Sequence, residues 1–147
     1  EQKNLKINRD YDPSIPEIHG DENLFIQATL NIIKNAQQAL LVTENPSITI
    51  KSRVAYGQPI NGNIHSTVCD VSIIDNGPGI PLDIQEQVFF PMVSTKEDGS
   101  GLGLSISQDI IRIHGGAISF TTKSGETIFS ILMPINIESN NKEVLSA

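Results

Sequence analysis

"IIDNGPGIP", Ile73 to Pro81, is the stretch on which the reading of this chain turns. An apolar alternation through Val71, Ile73 and Ile74 stops at an aspartate. Asn76, Gly77, Pro78, Gly79 and Pro81 then crowd behind it. Asp-Asn-Gly is a good turn sequence, so Asp75 taken alone is turn chemistry. The alternative is a carboxylate held at a strand end, by a stiff turn, at the mouth of a site.

Upstream, "SITIKSRVAY" (Ser47 to Tyr56) and "STVCDVSII" (Ser66 to Ile74) alternate with period two and predict paired strands. "GQPINGNI" between them predicts a long hairpin loop. Asn4 to Tyr11 predicts an edge strand, and the two prolines of "DPSIPE" a loop. Asp21 can cap a helix running to about Leu41. Downstream, Pro81 can start a short helix, Leu82 to Phe89. "STKEDGSG" (Ser94 to Gly101) has no apolar anchor and predicts a mobile loop. Leu102 to His114 has helical spacing and a stop at Gly115-Gly116. Ala117 to Thr122 and Thr127 to Ile135 predict a closing hairpin. The expected fold class is α+β: a two-layer α/β sandwich, a mixed sheet with helices on one face. Residues 1–135 form the expected domain, and 136–147 a polar tail.

The totals narrow the function. A chain of 147 residues with 38% hydrophobic and 18% charged residues suits one ordinary globular domain. No apolar run approaches the ~18 residues that span a bilayer, so no membrane partner is expected. The net charge of −7 argues against nucleic acid, and an anionic ligand would need local cations or a metal. The single cysteine, Cys69, fits a reducing cytoplasm. The polar start without an initiator methionine reads as a fragment of something larger.

In "NIIKNAQQAL" (Asn31 to Leu40) a polar stripe runs along one helix face: Gln27, Asn31, Asn35 and Gln38. Phe25, Ala28, Leu30, Ile32, Ile33, Ala36, Ala39 and Leu40 surround it. That is too much apolar surface for a helix packed on one side only, so the stripe is expected within a largely buried helix, its amides partnered. Either the seam is closed by backbone and water, or a carboxamide oxygen holds a hard cation such as Mg²⁺. Asn35 could then hold a metal on a triphosphate, with Lys34 and Lys96 adding charge.

A second glycine cluster, "GSGLGLS" (Gly99 to Ser105), leads straight into a helix, where backbone N–H groups can face phosphate. No "GK[ST]" follows, so it is not a P-loop. G-x-G-x-G without a preceding apolar strand is a poor dinucleotide fingerprint. Taken in order, "NIIKNAQQAL", "DNGPGIP", "VFFPMVSTK" and "GSGLGLSI" resemble the N, first glycine, F and second glycine boxes of the sensor histidine kinase catalytic domain. That domain has the Bergerat (GHKL) ATP-binding fold, and the likeness covers about Lys6 to Ile135.

The resemblance implies roles. Asp75 corresponds to the aspartate that accepts from the adenine amino group, and Thr127 to the threonine supporting it through water. Gly77 and Gly79 let the backbone approach the base, beside Ile80. Asn35 corresponds to the Mg²⁺-binding asparagine and Asn31 to the first asparagine of that box, with Lys34 and Gln38 beside them. Gly99, Ser100, Gly101, Leu102, Gly103 and Leu104 correspond to the phosphate side. Phe89 to Gly101 would be a lid, with Lys96 a phosphate contact. The catalytic set is thus Asn31, Asn35 and Lys96, and the cofactors ATP and Mg²⁺. Met92 stands where many members have phenylalanine. His114 corresponds to a structural position. "FFPMVSTKEDGSGLGLSISQ" and "RDYDPSIPEIHGD" are most similar to the nitrogen-regulation type of sensor kinase.

Relatives that hydrolyse ATP place a glutamate where Asn31 stands. An amide cannot take a proton at neutral pH, so slow hydrolysis is expected. His19, His65 and His114 lack an acceptor context. The phosphoryl acceptor is therefore expected on a histidine-bearing dimerisation hairpin outside this chain, the chain itself being a monomer that binds ATP without phosphorylating itself. The resemblance further implies a response regulator and a PII-type signal protein as partners of the parent, and a cytoplasmic setting. The alternatives are an anti-sigma-type serine kinase and a catalytically silent nucleotide-binding module.

Overall fold

The computed structural model describes residues 4–60, 62–91 and 103–135. In chain order these form β1 (Lys6–Tyr11), α1 (Glu22–Ala39), β2 (Ser47–Ile60), β3 (Asn63–Asp75), α2 (Leu82–Gln85), α3 (Gly103–Ile113), β4 (Ala117–Lys123) and β5 (Glu126–Pro134). The strands make one sheet in the order β1-β2-β3-β5-β4. β1 runs parallel to β2 and every other pair is antiparallel, so the sheet is mixed.

The alternation of β5 sets the two faces. Thr127, Phe129, Ile131 and Met133 are buried, while Ile128, Ser130, Leu132 and Pro134 between them are half-buried. The buried side meets Cys69 and Ile73 of β3, Ile48 of β2, and the inner faces of α1 (Ala28, Ile32, Ala36) and α3 (Ile110, Ile111). Each fully buried isoleucine or phenylalanine there contributes about 1.5–3 kcal/mol. The other face carries half-buried Thr49, Lys51, Arg53, Asp70, Ser72 and Ser130, so α1 and α3 both lie on one side of the sheet. The Arg53–Asp10 pair, at 2.8 Å, joins β2 to β1 but is too exposed to contribute much.

Chain ends of the helices follow local chemistry. The Asp21 side chain accepts the Leu24 N–H at 3.1 Å and starts α1. After α3, Gly115 adopts φ +78°. Its N–H reaches the Arg112 carbonyl at 3.0 Å, and the Gly116 N–H reaches that of Ile111 at 2.9 Å. This is the glycine stop of a Schellman turn.

The structure departs from the sequence reading in places. The expected long loop at 57–64 is a continuation of the β2–β3 ribbon, with Gln58 opposite His65 and Ile60 opposite Asn63. Gly62, just before β3, adopts φ +84°. α1 is not buried all round: Ile26 and Leu30 are 46% and 47% exposed and Gln27 is exposed, because a single sheet covers only one side. α1 is α-helical to Ala39 and tightens into a 3-10 turn over Leu40–Val42, close to the expected end near Leu41. α2 is one turn long. Beyond it the bonds are short-range, as from the Phe90 N–H to Gln87 at 2.9 Å, while Phe89 turns inward.

Candidate functional site

Asp75 is the last residue of β3, on the helix-facing side of the sheet, and only 4% exposed. Its Oδ1 accepts the Gly77 N–H at 3.0 Å. A Cβ on Gly77 would come within 2.9 Å of that same oxygen and 3.5 Å of the Ala39 carbonyl oxygen. The loop therefore runs between the carboxylate and the C-terminal end of α1. Asn35 lies one turn back along that helix, on the face expected to point at the site. Its side chain is half-buried and makes no hydrogen bond to a described residue.

The loop after Asp75 is fastened on two sides. Asn76 serves the start of β2: its Oδ1 accepts the Ser47 N–H at 2.8 Å, and its Nδ2 donates to the Asn45 carbonyl at 3.0 Å. The β4–β5 hairpin holds the other side. The Gly125 N–H donates to the Gly77 carbonyl at 3.0 Å, and the Ile80 N–H to Thr122 Oγ1 at 2.9 Å. Gln85 closes the set by donating its Nε2 to the Ile80 carbonyl at 2.9 Å. Thr127, 4% exposed, is the cross-strand partner of Asp75. These bonds hold the loop on both sides, and the Gly77 N–H pre-sets the carboxylate.

The other wall is the α1–α3 pair. Asn31 donates its Nδ2 to the Gly103 carbonyl at 3.2 Å, so the first turn of α3 is tied to the polar stripe. Further along, the Ser107 hydroxyl, wholly buried, donates to the Ala28 carbonyl at 2.8 Å. His114 joins the far ends. Its Nε2 accepts the Asp21 N–H at 2.9 Å, which leaves Nδ1 to donate to the Ile110 carbonyl at 2.7 Å. That arrangement uses both ring nitrogens structurally.

The structure gathers Asp75, Gly77, Gly79, Ile80 and Thr127 at one end of the sheet, and sets Asn31 against Gly103 farther back along α1, with Asn35 between. Leu104 packs on the core. Other expected residues sit differently. Lys34 is exposed. Gln38 lines a shallow cavity of about 370 Å³ with Leu5, Gln37 and Leu41, on the β1 side. The Phe89 ring packs edge-on against Phe120 and Phe129, with centroids 6.0 and 6.2 Å away. Met92, Lys96, Gly99, Ser100, Gly101 and Leu102 lie outside the described residues, as does the tail at 136–147. Thr122 and Asn76 are the residues sequence reasoning missed as loop anchors. Among the described residues there is no cluster of three or more His, Cys, Asp or Glu side chains that could cage a metal. A single neutral amide such as Asn35 fits Mg²⁺ only where phosphate and water supply the other oxygens.

Residues 20–137 match the family described as histidine kinase-, DNA gyrase B-, and HSP90-like ATPases. The chain is 47% identical over 134 residues to the sensory histidine kinase/phosphatase NtrB of Vibrio alginolyticus, covering 91% of this chain. To the NtrB of Klebsiella oxytoca it is 45% identical over 132 residues, covering 90%. It spans 38% of the length of each of these relatives. The catalytic domain of the histidine kinase ThkA superposes with a TM-score of 0.72 at 30% identity, over 89% of this chain and 79% of that one. ThkA in complex with the response regulator TrrA gives a TM-score of 0.68 at 28% identity, over 92% of this chain and 35% of that one.

Proposed function

This chain belongs to the family of histidine kinase-, DNA gyrase B-, and HSP90-like ATPases, on its sensor histidine kinase side, and from that premise we propose that it is the part of a nitrogen-regulation kinase that holds ATP for transfer to a histidine. The observation that carries the proposal is the Asp75 site. A buried carboxylate is oriented by its own loop, and that loop is pinned against a hairpin and the end of α1.

In this reading Asp75 accepts a hydrogen bond from the adenine amino group, with Thr127 beside it on the neighbouring strand. Gly77 and Gly79 let the backbone of the loop approach the base. The Asn35 carboxamide oxygen would hold the Mg²⁺ that accompanies the nucleotide, and the cation would offset the phosphate charge. Asn31 contributes no general base, since its amide cannot take a proton and its Nδ2 is already given to Gly103. Position 31 therefore does not activate water, and the phosphoryl group waits for a better nucleophile. Residues 1–135 would form the ATP-binding domain. The histidine-bearing hairpin, a response regulator and a PII-type protein would be partners of the longer protein. The ThkA–TrrA complex supports the response-regulator part. The names of the relatives support histidine rather than serine as acceptor.

Thermal unfolding with and without Mg-ATP tests the binding step. A nucleotide at a hundredfold excess over Kd should stabilise the chain by about 2.7 kcal/mol. Asp75→Asn turns an acceptor toward a donor and should remove most of that gain. Stabilisation retained in full by Asp75→Asn would overturn the assignment.

A further inference from the structure

Three polar side chains lie in one row across the sheet, at the end where the loop is pinned. Thr122 of β4 is the register partner of Thr127 of β5, and Thr127 is the partner of Asp75 of β3. Side chains opposite one another in a row share a face and lie within reach of each other. The two hydroxyl oxygens are 2.8 Å apart, and Thr122 Oγ1 also accepts the Ile80 N–H at 2.9 Å. Thr127 and Asp75 are each 4% exposed, so water competes little for these groups.

We propose that Thr122 is a positioning residue that sets nucleobase specificity: its hydroxyl fixes the direction of the row, so that Thr127 presents a donor beside the Asp75 acceptor. The argument is a proton count. A hydroxyl has one proton and two lone pairs. The Ile80 N–H already takes a lone pair of Thr122. The Thr122 proton then goes to the Thr127 oxygen, its partner among the described residues, and Thr127 turns its own proton onward. In the reverse direction Thr122 would accept twice, and its proton would have no described partner.

The direction matters because the two purines present opposite edges. Adenine offers an amino donor beside a ring-nitrogen acceptor. Guanine offers a carbonyl acceptor beside a ring N–H donor. An acceptor at Asp75 with a donor at Thr127 matches adenine. Guanine would set acceptor against acceptor and donor against donor, leaving buried groups unpaired. The inference deepens the proposed function and rests on Asp75 reading a purine.

Titration calorimetry with Mg-ATP and Mg-GTP tests it on the wild-type chain, Thr122→Val and Thr122→Ser. Valine keeps the shape without the hydroxyl, and serine keeps the hydroxyl. The expected result is that Thr122→Val narrows the preference for ATP over GTP by about tenfold, and that Thr122→Ser retains it. Exchange of the Ile80 amide should quicken in Thr122→Val alone. An unchanged ATP-to-GTP ratio in Thr122→Val overturns the inference, even if both nucleotides bind more weakly. Should that variant not fold, Thr122→Ala is held to the same criterion. A wild-type chain that binds both nucleotides equally overturns the inference and leaves the proposed function standing. One that binds neither brings down both.

Discussion

Gly79 meets two demands at once. Its φ of +90° lies where side chains are strained, and a Cβ there would come within 2.7 Å of the Lys123 carbonyl oxygen. Gly125 has a similar φ of +89° but open space around it. Gly79→Ala should therefore cost about 1–3 kcal/mol, and Gly125→Ala less, as read from denaturant melts. Gly79→Ala should also weaken Mg-ATP binding, because the strand of β4 must move away from the loop. Cys69 gives a pH prediction. Burial first, then the Asp70 and Asp12 carboxylates, push its thiol from 9.0 to about 11. The folded value is above the unfolded one, so this contribution is complete below 9.0 and is lost as pH rises through about 11. Wild type should lose stability across that window more steeply than Cys69→Ala, and iodoacetamide should label the native thiol slowly at neutral pH. Asp75 was legible as a strand end followed by a stiff turn. Thr122 was not, because it is one of two adjacent threonines in an ordinary strand. Its importance arises only when three strands align.

At the level of elements, α1 and α3 are joined along their length by the Ser107, Asn31 and His114 bonds. The His114 ring supplies an acceptor to the first turn of α1, where backbone N–H groups lack helical partners. His114→Ala should cost about 1 kcal/mol and speed amide exchange at Asp21 more than at Ala36, measurable by NMR. A uniform rise along α1 would contradict that local role. The helix ends were legible because Asp21 and Gly115-Gly116 are chemical stops. The β2–β3 ribbon was not. Gly57, Pro59 and Gly62 together look like loop composition, yet the pairing continues in the same register as far as Ile60 opposite Asn63. The surplus of apolar residues on α1 likewise misled. Ile26 and Leu30 remain open, since hydrophobicity does not say which faces a neighbour covers.

For the molecule as a whole, the order of the four motifs pointed to the fold that the family match and the solved catalytic domain bear out. Among the described residues no helix is long and apolar enough to cross a membrane. The proposed separation of nucleotide from acceptor makes a kinetic prediction. With Mg-ATP alone, the chain should hydrolyse far more slowly than relatives with a glutamate at position 31, and should incorporate no acid-labile phosphate. Supplying the histidine hairpin of an NtrB-type kinase in trans should yield phosphohistidine, detected with γ-labelled ATP. Label in the isolated chain would refute the division of labour.

The anchoring of Asn76 has a mechanical consequence. The Lys6 N–H bonds the Pro46 carbonyl at 3.0 Å, and the adjoining Ser47 grips Asn76, the neighbour of Asp75. Tension applied at Lys6 thus arrives within a few bonds of the pocket before it disturbs the far side of the sheet. Under a pulling force in an optical trap, bound nucleotide would be shed before the core ruptures.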